Sequence, residues 1–156
     1  MRRDGKARIW SRQRKDLTDR FPDVEAAAAQ ELPDGVVLDG ELVVMVDGRL
    51  SFDALQRRLV TSPAKARYLV ATVPASYVAF DLLAIGGIDL RTQRWTVRRR
   101  RLEQLSVGWA TLQLSPVTDD IEEAREWFDV LPEAWAWKAS SSRVPPRVMS
   151  AVGGNG

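Results

Sequence analysis

Two apolar runs dominate the hydrophobic pattern of the chain, Val36 to Val46 (VVLDGELVVMV) and Pro74 to Ile85 (PASYVAFDLLAI). Both are short and rich in aliphatic residues, and both are followed by turn-forming pairs, Asp47-Gly48 and Gly86-Gly87. This pattern predicts two buried β-strands that each turn back into a hairpin. Strict alternation in the second strand predicts one face formed by Val78, Phe80 and Leu82 and an opposite face formed by Tyr77, Ala79 and Asp81.

Polar residues interrupt the first strand at its middle. Asp39 and Glu41 should share one face while Gly40 lies on the other, because successive side chains alternate along a strand. Two carboxylates on a mostly buried surface cost several kcal/mol unless a cation, a hydroxyl or an amide receives them. The pair therefore indicates a functional site. The alternative is that both carboxylates face water at a bend made by Gly40.

Segments whose apolar residues have helical spacing lie before, between and after these two strands. Thr18 or Asp19 is a candidate N-cap for the first helix, and Ser51 for the second. On the second helix Arg57 and Arg58 are expected to point outward, opposite an apolar stripe of Phe52, Leu55 and Leu59. Residues 61–73 are interpreted as a polar connection. The predicted helices span residues 22–31, 52–60 and 95–105.

The last quarter of the chain carries weaker signals. Residues 112–117 predict a short strand, residues 119–131 an acid-rich helix and residues 133–138 (EAWAWK) an alternating strand. From Ala139 the sequence has no period, two adjacent prolines and a Gly-rich end. We expect residues 139–156 to be a disordered or ill-packed tail.

Composition limits the available chemistry. The chain has 156 residues, enough for one domain, with 45% hydrophobic and 28% charged residues. It contains no Cys and no His, which excludes disulfides, thiol nucleophiles, Ser-His-Asp triads and His-ligated zinc within this sequence. Because no apolar run approaches the length of a membrane span and no secretion signal is visible, we expect no membrane insertion and a cytoplasmic location.

Basic residues cluster, although the net charge is only +2. Residues 2–20 contain eight cations against three aspartates, and nearly all basic residues of the chain are arginines, whose forked donors suit phosphate oxygens. Alternation after Asp4-Gly5 predicts a strand on which Arg8, Trp10 and Arg12 share a face. Either a phosphate-binding strip or a solvated basic edge strand explains this pattern. The run 98–101 (RRRR) is likewise either solvated or aligned with a phosphate backbone.

Several blocks in order carry a family resemblance. They are ARIWSRQRKDLTDRFPDV, LPDGVVLDGELVV, SFDALQRRL, YVAFDLLAIGGIDLRTQRWTVRRRRLEQL and, more weakly, EAWAWK. Together they resemble the adenylation domain of bacterial ATP-dependent DNA ligases, within the covalent nucleotidyltransferase superfamily that includes messenger-RNA capping enzymes. The resemblance implies an α+β fold with antiparallel β-sheets flanked by helices.

The resemblance also implies roles for single residues. Arg12 and Glu41 match residues that hold the ribose of the nucleotide, and Phe80 matches the aromatic that stacks on adenine. Glu133 matches a glutamate associated with divalent metal, and Lys138 the basic residue that closes the same motif. ATP and Mg²⁺ are the implied cofactors and nicked double-stranded DNA is the implied partner, in DNA repair, recombination or replication. Arg8, Arg14 and Lys15 are candidates for weak DNA contact.

Two family features have no counterpart in this sequence. The family attacks ATP with the lysine of Lys-x-Asp-Gly, whereas the only similar text here is Arg2-Arg3-Asp4-Gly5, and arginine remains protonated. The Lys-x-Lys strand and the oligonucleotide-binding domain that follow in the family are also not seen. We therefore expect residues 1–138 to be a partial adenylation domain that lacks the catalytic-lysine strand and is inactive alone.

Two other functions remain open at this stage. One is a non-catalytic remnant that binds nucleotide or DNA through Arg12, Glu41, Phe80 and the basic surface. The other is a metal-dependent nuclease in which Asp34, Asp39 and Glu41 ligate magnesium. Nucleases of that kind usually have a lysine two residues after the glutamate, where this chain has Val43.

Overall fold

The computed structural model of the protein describes residues 1–117. Residues Met1–Ser115 form one compact unit, to which this description applies. The elements in chain order are β1 (Arg2–Arg3), β2 (Lys6–Ala7), α1 (Pro22–Glu31), β3 (Val37–Val46), β4 (Arg49–Leu50), α2 (Phe52–Val60), α3 (Pro63–Thr72), β5 (Ala75–Ile85), β6 (Ile88–Asp89), α4 (Trp95–Ser106) and β7 (Gln113–Leu114).

The two long apolar runs are the central strands of a five-stranded sheet, as predicted. Its order is β4-β3-β5-β6, with every neighbour antiparallel, and β7 adds to β5 in parallel. Strands β1 and β2 form a separate two-stranded ribbon. The α+β class with antiparallel sheets and flanking helices is confirmed, and among the strands of residues 1–117 the parallel β7 is the one pairing that departs from it.

Turn pairs fix the hairpins as their sequence indicates. Asp47 and Gly48 both have positive φ, 50° and 75°, and Asp4 and Gly5 have 52° and 73°. Two successive left-handed residues match the right-handed twist of the flanking strands, which is why Asp-Gly is favoured in two-residue hairpins. Asp4-Gly5 therefore joins β1 to β2, and Asp47-Gly48 joins β3 to β4.

Helix α1 contributes to both clusters of the hydrophobic core. Ala27 lies in a cluster formed with the sheet and α4, and Val24 lies in a second cluster formed with β3 and α2. The first cluster comprises Ala27, Leu32, Val36, Ala79, Leu82, Leu90, Leu102 and Leu112. The second comprises Leu17, Phe21, Val24, Val44, Ala54 and Ala75.

Helix starts were predicted with mixed success. The Ser51 hydroxyl accepts a hydrogen bond from the Ala54 amide at 3.3 Å, which confirms this cap. The prediction that Thr18 or Asp19 caps α1 is wrong, because residues Thr18–Arg20 form a 3₁₀ turn and Phe21 is the N-cap without a side-chain bond. The Thr18 hydroxyl instead accepts a hydrogen bond from the Ile9 amide at 3.0 Å.

Residues 61–73 are a helix rather than a polar connection. Helix α3 starts after Ser62, whose hydroxyl accepts a hydrogen bond from the Lys65 amide at 3.4 Å, and Pro63 occupies the first turn. Ser followed by Pro is a helix-start signal. The Ser62-Pro63 pair therefore indicates a helix start, and the interpretation of residues 61–73 as a polar connection is wrong.

The strand expected after Asp4-Gly5 is short. Strand β2 covers only Lys6–Ala7, and beyond it the sole pairing within residues 8–17 is an isolated antiparallel bridge between Trp10 and Asp16. Strand β7 is likewise shorter than the predicted strand over residues 112–117.

Several predictions lie outside the described residues. They concern the helix over residues 119–131, the strand over residues 133–138, the tail 139–156, Glu133 and Lys138. Within residues 1–117 no helix is long and apolar enough to cross a membrane.

Candidate functional site

The Asp39-Gly40-Glu41 segment lies in the middle of β3, directly against β5. In the register of this pair Asp39 faces Asp81, Gly40 faces Ala79 and Glu41 faces Val78. Phe80 is skipped between Asp81 and Ala79 and forms a β-bulge. Glu41 and Phe80, two of the sequence-predicted nucleotide contacts, thus lie on adjacent strands. Phe80 is two residues from Val78, the partner of Glu41.

The bulge changes the faces of β5. Ala75 and Ala79 are buried and so is Leu82, although strict alternation would place Leu82 on the opposite face from both alanines. The predicted face of Val78, Phe80 and Leu82 is therefore wrong, because the extra residue shifts the pleat by one. Phe80 itself is half-buried. The sequence has no Gly or Pro near Phe80 that would signal a bulge.

Gly40 is required by the close approach of β5. A Cβ atom at this position would lie 2.4 Å from the Val78 carbonyl oxygen and 2.6 Å from the Tyr77 ring. The Tyr77 hydroxyl donates a hydrogen bond to the Leu38 carbonyl at 3.4 Å, and burial, with a smaller contribution from Asp39, raises the pKa of Tyr77. The glycine therefore allows the tight strand contact that positions Glu41.

The two carboxylates of this segment have different environments. Asp39 is exposed, and one of its oxygens accepts a hydrogen bond from the Gly40 amide at 3.0 Å. Glu41 is half-buried. The expectation that both lie on a mostly buried surface is wrong for Asp39, and Glu41 remains the candidate binding group.

Arg12 lies in a tight hairpin loop that spans residues 10–16. The Ser11 amide donates to the Lys15 carbonyl at 2.9 Å, the Arg14 amide donates to the Ser11 carbonyl at 2.9 Å, and the Lys15 amide donates to the Ser11 hydroxyl at 3.0 Å. Arg14 adopts a left-handed φ of 62°, and Arg12 is exposed. Ser11 thus organises the loop that presents Arg12.

The base of this loop is anchored beside β3. Ile9 and Leu17 pack in the second core cluster together with Leu42 and Val44, whose side chains alternate with those of Glu41 and Val43 along β3. The Leu17 amide donates a hydrogen bond to the Ile9 carbonyl at 2.8 Å. The hairpin that carries Arg12 is thus fixed to the side of β3 on which Leu42 and Val44 lie, whereas the register of β3 and β5 brings together only Glu41 and Phe80.

An ion pair that sequence reasoning missed adjoins the bulge. The Arg98 guanidinium donates to both carboxylate oxygens of Asp81, at 2.9 and 2.7 Å, and to the Gln93 carbonyl at 2.6 Å. The hydrogen bonds that Arg98 donates to Asp81 raise the pKa of Arg98. Asp81 also accepts a hydrogen bond from its neighbour Leu82 at 2.8 Å. This bidentate pair fixes the residue next to Phe80 to the start of α4.

The arginine run of α4 is only partly solvated. Arg99 is 7% exposed, and its guanidinium bonds to Glu103 at 2.8 Å and to the Ser115 carbonyl at 2.8 Å. Arg100 and Arg101 are exposed. The prediction of a wholly solvated or phosphate-aligned run is wrong for Arg98 and Arg99. Four consecutive helical residues cover more than one face, so some of them had to turn toward the protein.

Arg58 also contradicts its prediction, since it is fully buried instead of pointing outward. Its guanidinium binds both oxygens of Asp23, at 2.9 and 2.7 Å, together with the carbonyls of Arg20 and Val73. The Phe21 ring lies 5.0 Å from the guanidinium carbon. Arg58 follows Ala54 by one helical turn, and these two residues form the buried face of α2.

A metal site is not formed by the carboxylates of the described segment. Within residues 1–117 no group of three or more Asp or Glu side chains could hold a metal ion. Asp34, Asp39 and Glu41 consequently do not form the cluster that a metal-dependent nuclease would need. This finding removes the sequence-based argument for that function.

Comparison with known proteins gives a consistent result. A family model described as "ATP dependent DNA ligase domain" matches residues 1–134. The chain is 41% identical over 128 residues to DNA ligase C2 of Mycolicibacterium smegmatis, covering 81% of this chain and 36% of that protein. It is 36% identical over 132 residues to DNA ligase C of Mycobacterium tuberculosis, covering 81% of this chain and 37% of that protein.

Solved structures agree with the sequence comparison. The fold is similar to that of mycobacterial DNA ligase D complexed with ATP and MES, with a TM-score of 0.57, 32% identity, and coverage of 74% of this chain and 35% of that chain. It is also similar to the ligase domain of LigD from M. tuberculosis, with a TM-score of 0.55, 32% identity, and coverage of 72% and 33%. The chain thus spans about a third of the length of these relatives.

Proposed function

Because the chain belongs to the ATP-dependent DNA ligase domain family, we propose that residues 1–117 form the adenosine-binding part of a ligase adenylation domain. The observation that carries this proposal is the register of β3 and β5, which places Glu41 and Phe80 on adjacent strands. A related protein, mycobacterial DNA ligase D, was solved in complex with ATP. ATP is therefore the nucleotide that we assign to this site.

The residue types at the site suit adenosine. Phe80, half-buried in the bulge, supplies a ring for adenine, and stacking of a base on an aromatic side chain contributes about 1–3 kcal/mol. The half-buried carboxylate of Glu41 can accept hydrogen bonds from ribose hydroxyls. The Arg12 guanidinium on the neighbouring hairpin can donate to the ribose or to phosphate oxygens.

We assign no covalent step to the N-terminal look-alike of the lysine motif. Arg2-Arg3-Asp4-Gly5 forms strand β1 and the turn into β2, so its Asp-Gly pair serves as a hairpin turn. An arginine cannot supply the neutral amine that attack on the α-phosphate of ATP requires. In this proposal the chain binds ATP without becoming covalently adenylated.

DNA is the proposed macromolecular partner. Arg8, Arg14 and Lys15 are exposed on the N-terminal ribbon and hairpin and are positioned to meet phosphates of nicked duplex DNA. Glu133 and Lys138 are proposed to assist with Mg²⁺ and with phosphate respectively, as their family counterparts imply. Action in DNA repair, recombination or replication, in the cytoplasm, belongs to the same proposal.

Equilibrium dialysis of the full chain with radiolabelled ATP and magnesium tests the nucleotide assignment. We expect saturable binding that Phe80→Ala weakens about 5- to 100-fold through lost stacking, and that Glu41→Gln also weakens. Tyr68→Ala is the matched control, because Tyr68 is an aromatic residue 79% exposed on α3. Circular dichroism of each variant separates lost binding from unfolding.

Two results would overturn the proposal. Equal ATP affinity in the wild-type chain and in folded Phe80→Ala and Glu41→Gln variants would remove the adenosine site. A radiolabelled band on a denaturing gel after incubation with [α-³²P]ATP would show a covalent adenylate and contradict the non-covalent assignment.

A further inference from the structure

An exposed tryptophan lies in a strongly basic N-terminal stretch of the chain. Trp10 is 55% exposed, which is unusual for a residue with so large an apolar ring. Residues 2–16 carry seven cations and two aspartates. A large exposed aromatic ring among cations has the two properties that single-stranded nucleic acids recognise, a stacking surface and positive charge.

The backbone defines which side chains accompany the ring. Trp10 and Asp16 form an antiparallel bridge, flanked by the Ser11–Lys15 and Ile9–Leu17 backbone hydrogen bonds. This is a non-hydrogen-bonded pair, in which directly opposite side chains lie close together on one face. Trp10 and Asp16 therefore share a face of the hairpin.

The negative charge of Asp16 on that face is balanced by nearby donors. Arg8 donates to one Asp16 oxygen at 3.1 Å, and the Thr18 amide donates to the other at 2.9 Å. Hydrogen bonds from Thr18, and then from Arg8, lower the pKa of Asp16, which remains ionised at neutral pH. The exposed Arg12, Arg14 and Lys15 at the loop tip provide the surplus positive charge.

The ring is carried by an ordered element. The Ile9 amide bonds to the Thr18 hydroxyl at 3.0 Å, and Ile9 and Leu17 on either side of the bridge pack in the core. The backbone that carries the ring is held in this way, so it loses little conformational freedom on binding. Bases in the interior of an intact duplex are stacked on both faces, whereas an unpaired or terminal base has a free face on which the ring can stack.

We propose that Trp10 stacks on an unpaired base of a DNA strand whose phosphates are held by Arg14 and Lys15. The hairpin of residues 8–17 then distinguishes broken or gapped DNA from continuous duplex. This inference rests on the proposed function only in taking DNA as the partner, and it does not depend on the ATP site.

Fluorescence anisotropy with three end-labelled DNAs of equal length tests the inference: a single strand, a continuous duplex with blunt, distant ends, and the same duplex with a central gap. We expect Trp10→Ala in the full chain to weaken binding to the single strand and the gapped duplex about 5- to 100-fold, the range of base–aromatic stacking. Binding to continuous duplex should change less than twofold. Trp10→Phe should retain most of the affinity.

Two control variants separate a specific effect of Trp10 from a general loss of DNA binding. Tyr68→Ala removes an exposed aromatic from α3 and should leave all three affinities unchanged. Arg14→Gln removes a charge at the loop tip and should weaken all three DNAs together, with the dependence of log affinity on log salt reduced by about one.

Several outcomes contradict the inference. Equal loss on all three DNAs would make Trp10 a structural residue, and no loss would remove it from the interface. A large drop in melting temperature of Trp10→Ala without an affinity change would show that the ring packs against the chain itself. If the wild-type chain binds ATP but does not distinguish gapped from continuous DNA, the role of Trp10 alone is refuted. If the chain distinguishes the two DNAs but does not bind ATP, only the adenosine assignment is refuted.

Discussion

Arg58 shows how much a single residue can depend on its surroundings. Its guanidinium is fully buried but makes four hydrogen bonds, two of them to Asp23, whose side chain is also nearly buried. Burying an ion pair costs desolvation energy that good geometry only offsets, whereas removing one partner leaves an uncompensated charge. Asp23 also accepts the Ala75 amide at 2.7 Å, so the same carboxylate anchors the start of β5.

Replacement of Arg58 by methionine should therefore be severe. We expect Arg58→Met to lower the free energy of unfolding by about 3–5 kcal/mol, because Asp23 remains buried without its cation. Urea denaturation followed by circular dichroism provides the measurement. Arg57→Met is the matched control on the same helix, since Arg57 is exposed, and should change stability by less than about 0.5 kcal/mol. Similar values for the two variants would contradict the assigned role of the buried pair.

At the scale of elements, sequence signals were reliable where they were local. The bounds of α1 follow from Pro22 and the apolar period, those of α2 from the Ser51 cap and its period, and the hairpin turn from Asp47-Gly48, all signals that act within a few residues. The faces of β5 could not be predicted in this way, because the bulge at Phe80 depends on the fit between β3 and β5. The same limit applies to the inward arginines of α4, whose acceptors lie far away in the sequence.

For the candidate site, the sequence resemblance named Glu41 and Phe80, which the sheet brings to adjacent strands. It did not name Asp81 and Arg98, which fix the bulge to α4. Their pairing is a tertiary contact across 17 positions, and the arginine run conceals which of its members turns inward.

The Asp81–Arg98 pair should stabilise the junction of β5 and α4. We expect Arg98→Met to cost about 2–3 kcal/mol of unfolding free energy, as is typical for partly buried hydrogen bonds to charged groups. Arg101→Met, an exposed change on the same helix, is the control and should be near neutral. Chemical denaturation of both variants measures the difference. An equally small effect of both changes would show that the pair contributes nothing to holding the bulge.

At the scale of the whole molecule, charge is distributed unevenly. Residues 1–16 hold seven of the 23 basic residues but only two of the 21 acidic ones. The remainder of the chain consequently has more acidic than basic residues, and the N-terminal ribbon and hairpin carry a surplus of positive charge. Since the chain has no His, carboxylates dominate its titration on the acid side of neutrality.

Acid titration should reveal one strongly shifted carboxylate. Hydrogen bonds from the Arg91 side chain and backbone lower the pKa of Asp89 from 3.8 to about 2. Since this folded pKa lies below the unfolded one, the stabilisation is complete above pH 3.8 and is lost as the pH falls through about 2. NMR titration of the Asp89 carboxyl carbon measures the shift. Arg91→Ala should return the midpoint toward 3.8, and an unchanged midpoint would contradict the assigned cause.

The extra residue in β5 has a consequence for anyone who alters this protein. Deleting Phe80 would not merely remove a ring, because it would abolish the register shift between Asp39 and Gly40 and move every later side chain of the strand to the opposite face. Asp81 would lose its alignment with Arg98, and Leu82 would leave the core. The strand thus tolerates substitution at Phe80 far better than a change in length, so libraries built on this scaffold should vary the identity of that residue and keep the count of residues fixed.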